Sequence, residues 1–179
     1  MTYIIAWPYL MIYFYINTNH LIMDLLKEYL IPWISSNVIA VLILISAIKK
    51  PKLARLLFAV LFGWACWINY TTAHNTPEAY LDYASLTPFD CMREFINGWF
   101  KEHIIQMVTL ISIGQGLIAI GMILKGLFVR IACIGAVVFL LAIVPLGIGS
   151  GFPFSIITVA ALYIILKKDN LDYLWNFKN

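Results

Sequence analysis

Charge is scarce in this chain. Asp, Glu, Lys and Arg make up 12% of its residues, about half of the roughly 25% found in soluble domains. A soluble all-α protein built from so many uncharged runs would leave too much apolar surface in water, so that class is excluded. Cysteine is sparse as well. Cys66, Cys91 and Cys133 stand singly with no CxxC pair, so the usual dithiol redox motif is absent. Cys66 and Cys133 fall inside apolar runs and read as small packing residues. Cys91 lies in a polar stretch and reads as an interfacial residue, with a free thiol or an intermolecular link as alternatives. No solenoid-type repeat and no low-complexity tract is present. The N-terminus lacks a basic n-region and a small-residue cleavage site, so no removable signal peptide is expected. Finally, no carboxylate, Lys or Arg stands near the middle of any expected span. Proton- and ion-coupled carriers place such groups there, and that class is disfavoured.

What the chain does have is long apolar runs. Hydrophobic residues are 63% of its 179, and a bilayer core of about 30 Å needs about 20 helical residues to cross. Residues 1–23 carry no charge and either cross or lie in the interface. Crossing is the reading adopted, with Pro8 as a kink. After a polar hinge at 24–28, further spans are expected over 29–48, 53–73, 104–124, 127–147 and 152–166. Trp33 marks one membrane edge. Pro51 separates the second and third runs, and Gly147, Gly149 and Gly151 form a turn before Pro153 restarts the last. The tail DNLDYLWNFKN is expected to lie on the surface as an amphipathic piece. The expected fold is an all-α polytopic transmembrane helix bundle. It comprises N-terminal membrane segments (1–52), a four-helix core (53–168) with an outer amphipathic loop (74–103), and a cytoplasmic tail (169–179).

The long interruption runs from Asn69 to His103 and holds 7 of the 21 charged residues. Thr76-Pro77-Glu78 and Thr87-Pro88-Phe89-Asp90 both read as helix starts, a hydroxyl at the N-cap and proline at N1. Thr87 and Asp90 have the spacing of a capping box. Beyond Asp90, Phe89, Met92, Ile96 and Trp99 recur at helical spacing, opposite Asp90, Arg93, Glu94 and Asn97. That pattern predicts a helix lying along the membrane surface.

The bases set an orientation. With loop 49–55 inside, nine of twelve Lys and Arg fall inside and seven of nine Asp and Glu fall outside, as the positive-inside tendency requires. Six spans then put both termini in the cytoplasm; five result if residues 1–23 do not cross. The net charge of +3 gives no nucleic-acid signal, because the bases stand at the ends of apolar runs. The expected partners are the lipid bilayer and other membrane subunits.

Candidate chemistry divides into three sets. Asn37 and Gln115 lie near mid-membrane, with Asn69, Gln106, Thr109 and Ser112 toward the outer half. Interhelical hydrogen bonding explains them; a lining for a small polar or quinone-like ligand is the functional alternative. Ser112-xxx-Gly116 and Ala132-xxx-Ala136 are spacings that let helices approach closely. His20, His74 and His103 all end spans on the outer side, with Glu78 one turn beyond His74 and Glu102 beside His103. Imidazoles with carboxylate partners suit a metal or haem iron, or general acid–base work on a ligand by His74, His103, Glu78 and Glu102. Ordinary interfacial residues are the plainer alternative, and the spacing matches no named metal motif. Tyr80, Tyr83, Phe89, Trp99 and Phe100 form an aromatic set that either walls a quinone pocket or anchors the interface.

Arg55 opening a span, the outer loop AHNTPEAYLDYASLTPFDCMREF and the run IGQGLIAIGMILKGLFVRIACIGAVVFLLAIVPLGIGSGFPFS together resemble the DoxX family. That family includes the DoxD-like small subunits of terminal quinol oxidase, and the resemblance covers about residues 53–168. It implies a four-helix membrane bundle in the cell (inner) membrane, associated with redox complexes that handle quinols or reduced sulfur. It carries over no catalytic residue, and no cofactor is identified beyond quinone, haem or metal as candidates. The leading expectation is an accessory subunit of a membrane redox complex, which leaves open an oxidoreductase role. The alternatives are a stand-alone carrier for a small neutral molecule, with Asn37, Gln115 and Gln106 along a polar path, and a purely structural membrane subunit.

Overall fold

A computed structural model describes residues 30–176. His20 and the first span expected over residues 1–23 therefore lie outside the described residues. Among those described, the chain is all helix and turn, with no strand. The long elements are α1 (Leu30–Lys49), α2 (Pro51–Asn75), α5 (Ile104–Ile123), α6 (Leu127–Ala142) and α7 (Phe154–Lys168). Between α2 and α5 come a 3₁₀ segment Pro77–Asp82, the short α3 (Tyr83–Leu86) and α4 (Asp90–Phe95), and a π-helical turn Ile96–Phe100. A second 3₁₀ segment, Val144–Ser150, joins α6 to α7.

Among the described residues, three helices, α1, α2 and α5, are long and apolar enough to cross a membrane, and a fourth is added if α6 and Val144–Ser150 form one bent span. The run expected as one helix over 127–147 breaks after Ala142, and the chain turns by 82° into Val144–Ser150. Pro145 has no N–H for a continuing helix, and Gly147 takes φ +62°, a conformation only glycine adopts freely. Helix α7 has 15 residues and reaches about 22 Å at 1.5 Å per residue, short of a hydrocarbon core.

The helices turn back on one another, and among α2, α5, α6 and α7 the most extensive pair is α2 with α5, followed by α5 with α6 and α6 with α7. Lipid is as apolar as leucine, so such pairs are held by close packing and polar contacts more than by burial of apolar surface. Small residues supply that closeness. A Cβ on Gly121 would stand 2.7 Å from the Cβ of Ala132, and one on Gly116 would stand 3.2 Å from Cys66 Sγ. Ala132 and Ala136 are buried, as is Ser112; both small-residue spacings therefore lie at helix contacts. The core between the helices contains Phe58, Phe62, Met122, Cys133, Leu140 and Leu162. Outward-facing Leu110, Leu117, Leu127 and Val138 stay exposed. Helix α1 joins through Ile43 and Ala47 in the core. It is also tied by Trp33 Nε1, which donates to the Phe152 carbonyl at 2.7 Å.

Two expectations for the polar stretch are corrected. Thr76 and Thr87 make no side-chain cap bonds to a following helix. Thr76 closes α2 instead, its N–H donating to the Thr72 carbonyl. Thr87 is extended, its hydroxyl donating to the Pro145 carbonyl at 2.7 Å. Helix α4 starts after Phe89, and Asp90 pairs with Arg93 rather than completing a capping box. The expected surface helix bends at Gly98 (φ −98°, ψ −110°). Ile96 is buried while Phe89 and Trp99 remain exposed.

Candidate functional site

The bundle has two chemically different ends. At one end, α2 finishes and the loop elements 77–100 cover the start of α5. The 3₁₀ segment contributes Pro77, Glu78 and Leu81; the turn into α5 contributes Lys101, Glu102, Ile104, Ile105 and Gln106. Together they line an open groove of about 320 Å³. Three of the sequence-derived candidates, Glu78, Glu102 and Gln106, are thus brought together, and Lys101 joins them. None of the groove's charged groups closes an ion pair with another described residue. The groove therefore offers two carboxylates, an ammonium and an amide beside Leu81, Ile104 and Ile105.

Beneath this surface lies a neutral network. Asn69 Nδ2 donates to Gln115 Oε1 at 2.9 Å, and the Tyr80 hydroxyl donates to Asn69 Oδ1 at 3.0 Å. Gln115 and Tyr80 are buried. This is the interhelical bonding that mid-membrane amides favour, and it joins α2, α5 and the 77–82 segment. Burial, chiefly, pushes the Tyr80 phenol up to about 12; neighbouring Tyr83 adds to the rise and the Thr72 hydroxyl opposes it. Tyr83 is also raised, first by burial and then by Asp82. It packs under the α6–α7 connection, where a Cβ on Gly149 would run into its ring.

The histidines behave differently from the carboxylates beside them. His74 Nδ1–H donates to the Tyr70 carbonyl at 2.8 Å and its ring tilts against Tyr70, centroids 4.3 Å apart. His103 repeats the arrangement one turn after Trp99, at 2.8 Å and 4.3 Å. Both rings are engaged along their own helices, and neither lines the groove. Among the described residues no group of three His, Cys, Asp or Glu side chains is placed to hold a metal ion. Trp99 is exposed, between Phe95 and His103.

Asn37 is elsewhere again. Its Nδ2 donates to the Trp33 carbonyl at 2.9 Å and to the Gly151 carbonyl at 3.0 Å, which clasps α1 to the α6–α7 connection. Asn37, Gln115 and Gln106 thus have three separate surroundings and share no partner.

At the opposite end is a cluster that the residue pattern did not announce. Arg55 is 0% exposed and reaches across three elements. Its Nε and Nη2 donate to the Met122 carbonyl at 3.1 and 2.9 Å, and Nη2 also donates to the Leu124 carbonyl at 2.7 Å. These carbonyls belong to the last turn of α5, where no intrahelical donor remains. Arg55 Nη1 donates to Asp169 Oδ1 at 3.0 Å and to the Asp172 carbonyl at 2.8 Å. Both side chains of the Arg55–Asp169 pair are fully buried. The tail, expected on the surface, is pinned to this end of the bundle while Trp175 stays exposed. Leu171 is buried, Gly126 N–H donates to the Leu171 carbonyl, and Lys52 Nζ donates to the Asn176 carbonyl. The signal available in the sequence was the charge asymmetry itself. Asp169 and Asp172 are the two acids that violate it; the Asp169 carboxylate pairs with Arg55, whereas Asp172 accepts from Arg55 only through its backbone carbonyl.

The fold defines an all-α bundle with several helices able to span a membrane. No family model, no curated protein and no solved structure matches the chain.

Proposed function

We propose that this is an integral membrane protein of the cell (inner) membrane, with the Arg55 end cytoplasmic and the 77–106 groove on the outer side. In this reading it is a DoxX-like accessory subunit of a membrane redox assembly, and the groove receives the head of a quinol or quinone. The observation that supports the reading is the groove itself: an apolar wall of Leu81, Ile104 and Ile105 beside Glu78, Glu102, Lys101 and Gln106. An amphiphile with hydrogen-bonding oxygens on an apolar ring suits such a lining. The carboxylates are within reach of a quinol hydroxyl as acceptors, and Lys101 and Gln106 supply donors for a quinone carbonyl. The exposed aromatics Phe89 and Trp99 belong to the membrane–water interface, where such a head group resides.

The test is labelling of the purified protein in nanodiscs with a photoreactive quinone analogue. Labelled peptides should fall in 77–81 and 101–106. Glu78→Gln with Glu102→Gln should reduce the yield several-fold, and deletion should alter quinol turnover in membranes. A protein that purifies alone, labels nowhere in the groove and leaves quinol turnover unchanged is a structural subunit instead.

A further inference from the structure

The end of the bundle that holds Arg55 carries more positive charge than its acids neutralise. Lys49, Lys50, Lys52 and Arg55 enter it from the α1–α2 junction, Lys125 and Arg130 from the α5–α6 turn, and Lys167 and Lys168 from the end of α7. The structure brings these junctions to one place. Arg55 bonds to Met122, Leu124 and Asp172, and Lys125 Nζ stands 5.1 Å from the centre of the Tyr173 ring.

Two acids share this end. Asp169 is consumed by Arg55 in the buried pair. Asp172 faces Lys52 and Lys125 and bonds to Asn176. Lys49, Lys50, Arg130, Lys167 and Lys168 are therefore left exposed, and none of them forms an ion pair with a described residue. Beside them the tail presents Trp175, 59% exposed, stacked on Tyr173 at 4.5 Å. Lys167 Nζ stands 5.7 Å from the centre of the exposed Tyr163 ring. Bases on apolar stems next to amphipathic aromatic rings are the chemistry of a headgroup layer that is anionic.

We propose that this face binds anionic phospholipid headgroups, with Arg130, Lys167 and Lys168 as the contact charges and Trp175 as the interfacial anchor. The Arg55–Asp169 pair serves the surface indirectly, because it holds the tail that carries Trp175 against the bundle. The proposal is independent of the quinol reading of the other end. Surface attraction of this kind amounts to at most about fivefold for a base close to an anionic surface, and it fades as the Debye length shortens to about 3 Å in molar salt.

The experiment reconstitutes the full chain in phosphatidylcholine and measures its relative association with spin-labelled phosphatidylglycerol and phosphatidylcholine. The wild type should prefer phosphatidylglycerol several-fold at low salt and lose the preference in molar salt, a comparison that needs no variant. Arg130→Gln/Lys167→Gln/Lys168→Gln should bring the ratio toward one, whereas Arg93→Gln at the other end should leave it unchanged. Retention of the preference when free glycerol phosphate is added supports a lipid surface. Its displacement by glycerol phosphate would mean a site for soluble phosphate esters and overturn the proposal. So would equal association of the two lipids with the wild type, or an undiminished preference in the triple variant.

Discussion

The two ends of this bundle each contain an arginine–aspartate pair, and the pairs have opposite physical meanings. Arg55–Asp169 spans 114 residues of sequence and is 0% exposed on both sides. Arg93–Asp90 lies within one turn and is 47% and 86% exposed. The first pair sits where water cannot reach it, so every donor on the guanidinium needs a protein acceptor, and the α5 carbonyls and the tail provide them. The second pair is solvated, and water competes for both of its partners. Identical side chains thus close one end of the molecule and merely decorate the other. The loop end is cohered instead by neutral groups, Asn69, Gln115 and Tyr80.

The largest test of this contrast is Arg55→Ala. It leaves the buried Asp169 carboxylate with only the Leu171 N–H and no counter-ion, and the Met122 and Leu124 carbonyls without their donors, and should cost about 3–5 kcal/mol in unfolding measured in mild detergent. The double change Arg55→Leu/Asp169→Leu should recover much of that loss, because no charge is then left unpaired. If the double variant is as unstable as the single, the α5 carbonyl bonds outweigh the ion pair. Next comes Gln115→Ala, which takes the acceptor from Asn69 Nδ2 and should cost about 1 kcal/mol in the same assay.

A pH titration then separates the two ends by another route. The folded-state pKa of Tyr80 is raised to about 12 from 10.0. Its stabilising contribution is therefore fully present below pH 10 and is lost as pH climbs from 10 toward 12. Tyr83, also raised, adds to the same fall. Tyr80→Phe should shrink the alkaline loss of stability, and an unaltered profile would assign it wholly to Tyr83 or to other groups. The smallest effect belongs to Asp90→Asn, which should change stability by less than about 1 kcal/mol and less still in high salt. A larger loss would show that the exposed pair orders the α3–α4 corner, where Arg93 Nε also donates to the Ala84 carbonyl at 3.2 Å.

Much of the helix layout was legible because membrane spans obey a one-dimensional rule. Runs read over 29–48, 53–73 and 104–124 correspond to Leu30–Lys49, Pro51–Asn75 and Ile104–Ile123. Where the rule failed, local chemistry was outvoted by contacts distant in sequence. The Thr87 hydroxyl, suited to cap the next helix, bonds to Pro145 fifty-eight residues away, and that contact holds the corner against the broken end of α6. The candidate site was legible in part. Glu78, Glu102 and Gln106 do converge, but His74 and His103 turn back onto their own helices. Spacing places a residue near an interface and says nothing of which way its ring rotates.

The residue order by itself determined which segments are helical and apolar, and gathered the bases and acids toward opposite ends, because solvent preference acts residue by residue. Only the tertiary structure decided that Arg55 is buried rather than solvated, that the tail is pinned to the end of the bundle, and that Glu78, Lys101, Glu102 and Gln106 share a groove. Those outcomes depend on which donors and acceptors meet once the helices have packed. A partner more than a hundred positions away leaves no periodic trace in the chain.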